Sequence, residues 1–488
     1  MPRRVARLTL PFAVLATVVA GPLPARAAPE PPKLRLLAPE PSVTLPKFRH
    51  NPVALNLGVF IASLGGAFEV DVWRTRYEDP IQASQIVHAT DGSTTSVPLP
   101  KGAVQGWAGL ARFFHVTISD AHGAVVRDRA ATFCPNAWDQ QRVDDSGPLE
   151  PTFPPFCSLN PLTRGTVWGI DRGWAAAAFS SSAPEVRLAE GTYTAHVEIA
   201  DPYATLLDVD PSDAAVNVRV VIRDVNDPCQ QGCEHRSTTE RPSSGRRLTP
   251  APRLATPARR TLPDLRPLPA FGMRTYRNAG RDYLSFAANV WNAGPSPLVV
   301  EGFRRDGEEV MDAYQYFFRN DEVVGRARVG SLEYDTRAGH NHWHFKQFAT
   351  YRLLDATMLN AVRSGKEAFC LVPTDPINLL KDRAVLRPDR IGLSTACGYA
   401  GSIWIRETLP VGWGDTYFQG VPGQAFDITD VPNGAYYVQV ETNPLRRLYE
   451  RTLVDNVSLR KVYLRGTPGD RQVSVPPYRG IDTETRWR

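Results

Sequence analysis

The chain has 488 residues and a net charge of only +5. It is too long for one ordinary domain and too weakly basic to argue for nucleic acid as a partner. Its 43 prolines and scarce long helical periodicity point to an all-β chain of two sandwich-like domains joined by irregular segments.

The first stretch reads as a targeting signal. Arg3, Arg4 and Arg7 precede an apolar run broken by Pro11, Pro22 and Pro24, and Ala25-Arg26-Ala27-Ala28 supplies a small-x-small cleavage site. That is the pattern of a secretory signal peptide over residues 1–28. Either the general or the twin-arginine export route fits. No other stretch is suited to cross a membrane, so a secreted, soluble protein with no stable span is expected.

Residues 34–225 read as an N-terminal β-sandwich. VALNLGVFIAS and AFEVDVWR are strand-like, FFHVTIS turns through DAHG into AVVRDRAATF, and YTAHVEIA and AVNVRVVI close the segment. Residues 226–261 are rich in Pro, Ser, Thr and Arg and poor in apolar side chains, which marks a linker. A second β-rich segment spans 262–466, and a polar tail with Pro468, Pro476 and Pro477 follows over 467–488. Six cysteines in an exported chain suggest disulfides, and their spacing groups them as Cys134 with Cys157, Cys229 with Cys233, and Cys370 with Cys397. No paired CxxC units suggest a zinc knuckle.

The two β-rich segments look like a degenerate repeat. ASQIVHATDG from Ala83 resembles AYQYFFRNDE from Ala313, and GTYTAHVEI from Gly191 resembles GAYYVQVET from Gly434. Phe113 and Phe348 each lie seven residues before an aspartate, Asp120 and Asp355. The Cys134/Cys157 couple matches Cys370/Cys397, and WGID at Trp168 is paired with WGDT at Trp413. The first copy has VQGWAGL around Trp107 and no imidazoles there, so it is expected to be a non-catalytic structural or docking module of unknown partner.

The chemistry concentrates in GHNHWHFKQF, Gly339 to Phe348. His340, His342 and His344 are the only histidines after His235. On a strand, residues two apart leave the same face, so the three imidazoles share one side while Trp343 points into a core. Imidazole suits copper, zinc, iron and nickel alike, so the spacing leaves copper or zinc open. Lys366, in SGKEAFCL, and Asp415 and Tyr417, in GWGDTY, read in isolation as a surface cation, a turn residue and a packing aromatic.

Taken together, these stretches resemble the lysyl oxidase family. HNHWHFKQFATYRLLDA matches its His-x-His-x-His copper strand, GKEAFCL its lysine segment, and GDTYFQGVPGQAFDITDV its Asp-Thr-Tyr, Gln and D-I-T-D-V run; LPDLRPLP and NAGPSPL resemble the start of its catalytic domain. The resemblance covers about Leu262 to Gly466. It implies copper held by His340, His342 and His344, a lysine tyrosylquinone cofactor made from Lys366 and Tyr417, and Asp415 as general base. The implied activity is oxidation of primary amines, lysine side chains of exported proteins among them, to aldehydes with release of hydrogen peroxide and ammonia. Asp427 and Asp430 read as turn and structural residues. The chain departs from the animal enzymes in having fewer cysteines here and a longer Lys-to-Tyr spacing, with INLLKDRAVLRPDRIGL expected to form a loop near the site. A non-catalytic metal-binding surface or wall protein is the alternative from another class, and a three-His zinc site with an open position is a third.

Overall fold

The computed structural model describes residues 30–48, 51–179, 183–225, 258–305, 307–319, 322–336, 341–364, 368–389 and 393–484. The described chain is nearly all β, with one short α-helix, Asp201–Leu206, as the exception. The expected signal peptide, most of the linker, and Cys229 and Cys233 lie outside the described residues, as do His340 and Lys366. Both other disulfides form, Cys134–Cys157 and Cys370–Cys397, each with Cα atoms 5.9 Å apart.

Alternation builds the strands. In Leu110–Ser119, Phe114, Val116 and Ile118 enter the core while His115, Thr117 and Ser119 lie on the more exposed face. Asp120 then closes the turn, its Oδ1 accepting from the amides of His122 and Ala124 at 2.8 and 3.0 Å. Asp355 repeats the device after strand Ala349–Leu354, accepting from Thr357 and Leu359 at 2.8 and 3.1 Å.

The two halves share a strand order. One sheet of the first half runs Leu34–Leu37, Phe60–Ser63, Trp174–Ala177, Gln140–Arg142, and its counterpart runs Leu265–Pro267, Arg281–Asn292, Trp413–Tyr417, Asp375–Pro376. A second runs Gly165–Ile170, Phe68–Trp73, Gln82–His88, Thr94–Pro98, against Trp404–Leu409, Leu298–Arg304, Val310–Arg319, Glu322–Asp335. A third runs Val125–Phe133, Leu110–Ser119, Gly191–Ile199, Ala215–Asp224, against Asn360–Arg363, Ala349–Leu354, Gly434–Thr442, Val457–Thr467. The second half extends its middle sheet by two strands, His342–Lys346 and Ala368–Phe369. The strand of imidazoles is therefore an addition to a shared plan.

Strand pairing corrects the sequence-level match of the tryptophans. Ala83 lies opposite Val72 and Ala313 opposite Gly302. Two residues back along those strands, Val70 faces Trp168 and Val300 faces Glu407. Independently, Arg35 pairs with Ala62, which pairs with Ala175; Arg266 pairs with Trp291, which pairs with Gly414. Trp413 thus corresponds to Trp174, and the counterpart of Trp168 is Glu407.

One further expectation is corrected, and another, the loop beside the site, gains a second contact. The segment past Gly466 is no tail: Asp470–Ser474 pairs with Val457–Thr467, and buried Glu484 accepts from the Met273 amide at 2.5 Å. The inserted stretch after Pro376 docks onto the first half. Arg164 donates its amide to Ile377 at 2.7 Å, and the Leu379 amide donates to Gly165 at 2.9 Å. Ile377, fully buried, shares an apolar cluster with Leu162, Leu268, Trp291 and Ala293. Phe153 and Val167 of the first half likewise join the core of the second. Burial of apolar area at this seam, at ~25 cal/mol per Å², holds the halves together.

Candidate functional site

Strand His342–Lys346 pairs with the end of Glu322–Asp335, with Asp335 opposite His342 and Glu333 opposite His344. Trp343 is 0 % exposed, and its indole N–H donates to the Tyr399 carbonyl at 2.9 Å. The opposite face carries His342 and His344, their rings edge-to-face with centroids 4.6 Å apart. His344 is buried, and its Nδ1 lies 3.3 Å from the Asp335 carboxylate. A carboxylate on one ring nitrogen is the usual outer support of a metal-binding imidazole, fixing its tautomer and orientation.

The second component is strand Trp413–Tyr417. Trp413 anchors it in the core with its indole donating to Val385 at 2.6 Å. Asp415 and Tyr417, two residues apart, share a face, which sets the Asp415 carboxyl beside the phenol. The Tyr417 hydroxyl donates to the Cys370 carbonyl at 2.7 Å. Burial first, then the carboxyls of Asp415 and Glu407 and the phenol of Tyr351, push the Tyr417 hydroxyl well above its ordinary range. Gln424 fixes the backbone here, donating to the Tyr417 carbonyl at 2.9 Å.

Phe369 joins the two components. It pairs across strands with Phe345, beside His344, and its ring meets that of Tyr417 edge-on at 5.1 Å. The Cys370–Cys397 bridge reinforces the junction, because the Cys397 carbonyl accepts from the Trp343 amide at 2.9 Å. Behind Tyr417, Thr416 donates its amide to the Thr374 hydroxyl at 2.7 Å and its own hydroxyl to buried Asp375.

Three residues join the site that the sequence reading did not single out. Tyr351, 2 % exposed, has its phenol raised by burial and then by Asp415. Glu407, fully buried, accepts from the Leu371 amide at 3.1 Å, and burial pushes its carboxyl well up. Gln424 stood within a quoted motif without a role. Asp427 is a turn residue as expected, accepting from the Thr429 amide and hydroxyl at 3.1 and 2.7 Å.

Among the described residues, no set of three metal-donor side chains comes together. The chemistry of the donors that are described fits a metal nonetheless. Two neighbouring imidazoles share a face, and one is backed by a carboxylate. Phe369 joins the imidazole strand, through its pairing with Phe345, to Tyr417, through its ring. The lysyl oxidase family model matches residues 322–471, within the C-terminal half. The match takes in the His strand, the Lys366 segment and the Asp415–Tyr417 pair, and begins after LPDLRPLP and NAGPSPL. No curated protein matches the chain.

Proposed function

We propose that the C-terminal half is an exported copper-dependent amine oxidase acting on primary amines, with lysine side chains of exported proteins as the substrate class. The reaction consumes the amine, oxygen and water, and yields an aldehyde, ammonia and hydrogen peroxide. His340, His342 and His344 would hold copper, and Lys366 with Tyr417 would supply the lysine tyrosylquinone; together they offer a sink for two electrons and a route for them to oxygen.

The chain's own residues do the rest. Asp415 takes the proton from the carbon bearing the amine, and its burial on the Tyr417 face keeps it near the reacting ring. Phe369 and the Cys370 carbonyl fix the ring's edge and its hydroxyl, while Gln424 holds its backbone, so that ring and base keep one geometry. Asp335 steadies His344. Export is supported by the signal-like residues 1–28, by two disulfides, and by the fact that no described helix is long and apolar enough to cross a membrane.

The observation that carries this reading is the Asp415–Tyr417 pair on one strand face, connected to the imidazole strand through Phe369. The test is redox-cycling quinone staining of copper-reconstituted protein beside Tyr417→Phe, with a peptide map for a Lys366–Tyr417 crosslink. Staining in the parent alone, with the crosslink, supports an amine oxidase. No staining after verified copper loading in air overturns it in favour of a non-catalytic metal-binding surface protein.

A further inference from the structure

The two halves provide an internal comparison for every position in the site. Tyr351, Glu407, Asp415 and Tyr417 correspond, by strand register, to Val116, Trp168, Ala176 and Ala178. All four counterparts are apolar and at most 3 % exposed. The fold therefore closes this region without a carboxyl, and at position 407 it does so with a tryptophan. Nothing in the shared architecture demands Glu407.

Glu407 is nevertheless 0 % exposed. Its Oε2 accepts from the Leu371 amide, and Oε1 makes no hydrogen bond among the described residues. A buried carboxyl served only by neutral backbone amides, Leu371 with Phe345 nearby, is poorly supplied to carry charge. The titratable groups facing it are Asp415 and Tyr417, with Tyr351 beyond Asp415; the Arg406–Glu301 pair belongs to the neighbouring positions of the same two strands. Two carboxyls confined together do not both ionise readily, and the better buried one keeps its proton. Burial and the Asp415 charge both act on Glu407 in that direction.

We infer that Glu407 is a positioning residue that stays a neutral carboxylic acid, leaving the pocket's carboxylate charge on Asp415 and stabilising that charge as a nearby dipole. Its catalytic consequence rests on the amine-oxidase reading; its protonation does not.

The test combines infrared spectroscopy with pH profiles of the copper-loaded full chain. Near neutral pH the difference spectrum of parent minus Glu407→Gln should contain the carbonyl stretch of a buried protonated carboxyl, over the contribution that Glu450 makes to both. Amine oxidation by Glu407→Gln should stay within about threefold of the parent, with the acid limb of kcat unmoved, because an amide mimics the neutral acid. Glu407→Leu removes the dipole, and its acid limb should rise by about one pH unit. Absence of the band from that difference spectrum, loss of activity in Glu407→Gln on the scale of Asp415→Asn, or a Glu407→Leu profile identical to the parent's would each overturn the inference. If Glu407→Leu fails to fold, the band and the Gln variant still decide. A difference spectrum with the band, from a parent that oxidises no amine, refutes the amine-oxidase reading and leaves the neutral Glu407 standing.

Discussion

The ring of Phe156 meets that of Trp413 edge-on, with centroids 5.6 Å apart, so the half that lacks the His-x-His-x-His strand touches the strand that carries Asp415 and Tyr417. Phe156→Ala removes this contact from a partly buried ring. It should cost about 2 kcal/mol in denaturant unfolding and lower kcat more than it raises KM, because ring and base lose their rear support. An unchanged kcat in a destabilised variant would confine the first half to a purely structural role.

Asp335→Asn keeps the shape beside His344 but removes the charge 3.3 Å from its Nδ1. Copper affinity, read by competition with a chromogenic chelator, should fall about 10- to 100-fold. Quinone staining should recover at saturating copper. Equal affinity in parent and variant would mean that Asp335 only pairs strands.

Asp415→Asn separates cofactor assembly from turnover. The variant should still bind copper and stain, because His342, His344 and Tyr417 are untouched, while kcat falls by about 10²- to 10⁴-fold. Retained turnover would move the base elsewhere.

Glu450 gives a pH prediction. Its carboxyl accepts from Asn443, Asn456 and the Leu265 amide at 2.6, 3.0 and 2.9 Å, yet burial outweighs them and pushes it up to about 7 from 4.5. The folded chain therefore holds a proton that the unfolded chain releases above pH 4.5. The stabilisation is complete below that pH and lost as pH rises through about 7. Relative to Glu450→Gln, the parent should lose up to roughly 3 kcal/mol across this window, measured by denaturant unfolding at each pH. A pH-independent difference would show that Glu450 is ionised throughout.

Much of this was legible in the sequence, for a local reason. The period-two spacing of His342 and His344 and the burial of Trp343 follow from strand geometry alone, and the Asp120 and Asp355 turns from their short-range hydrogen bonds. Glu407 and Tyr351 were not legible, because IRETL and TYRLL read as ordinary strands and the contact with Asp415 is made only through long-range pairing. The Trp168–Trp413 match failed because a shared Trp-Gly dipeptide is weaker than register: the pairing partners Val70 and Val300 show that Glu407 stands where Trp168 does. The polar end of the chain misled because its composition resembles a loop, while an edge strand such as Asp470–Ser474 buries little and needs few apolar residues.

The Cys370–Cys397 bridge encloses the insertion that seats Ile377 against the first half, and the carbonyl of Cys370 is the one beneath the Tyr417 hydroxyl. Reducing surroundings withhold that bond. Under the proposed export, the last piece of the site would be set only once the chain leaves the cell. The proposed peroxide-yielding oxidase would gain from such timing, because completion and exposure to oxidant outside would become a single event.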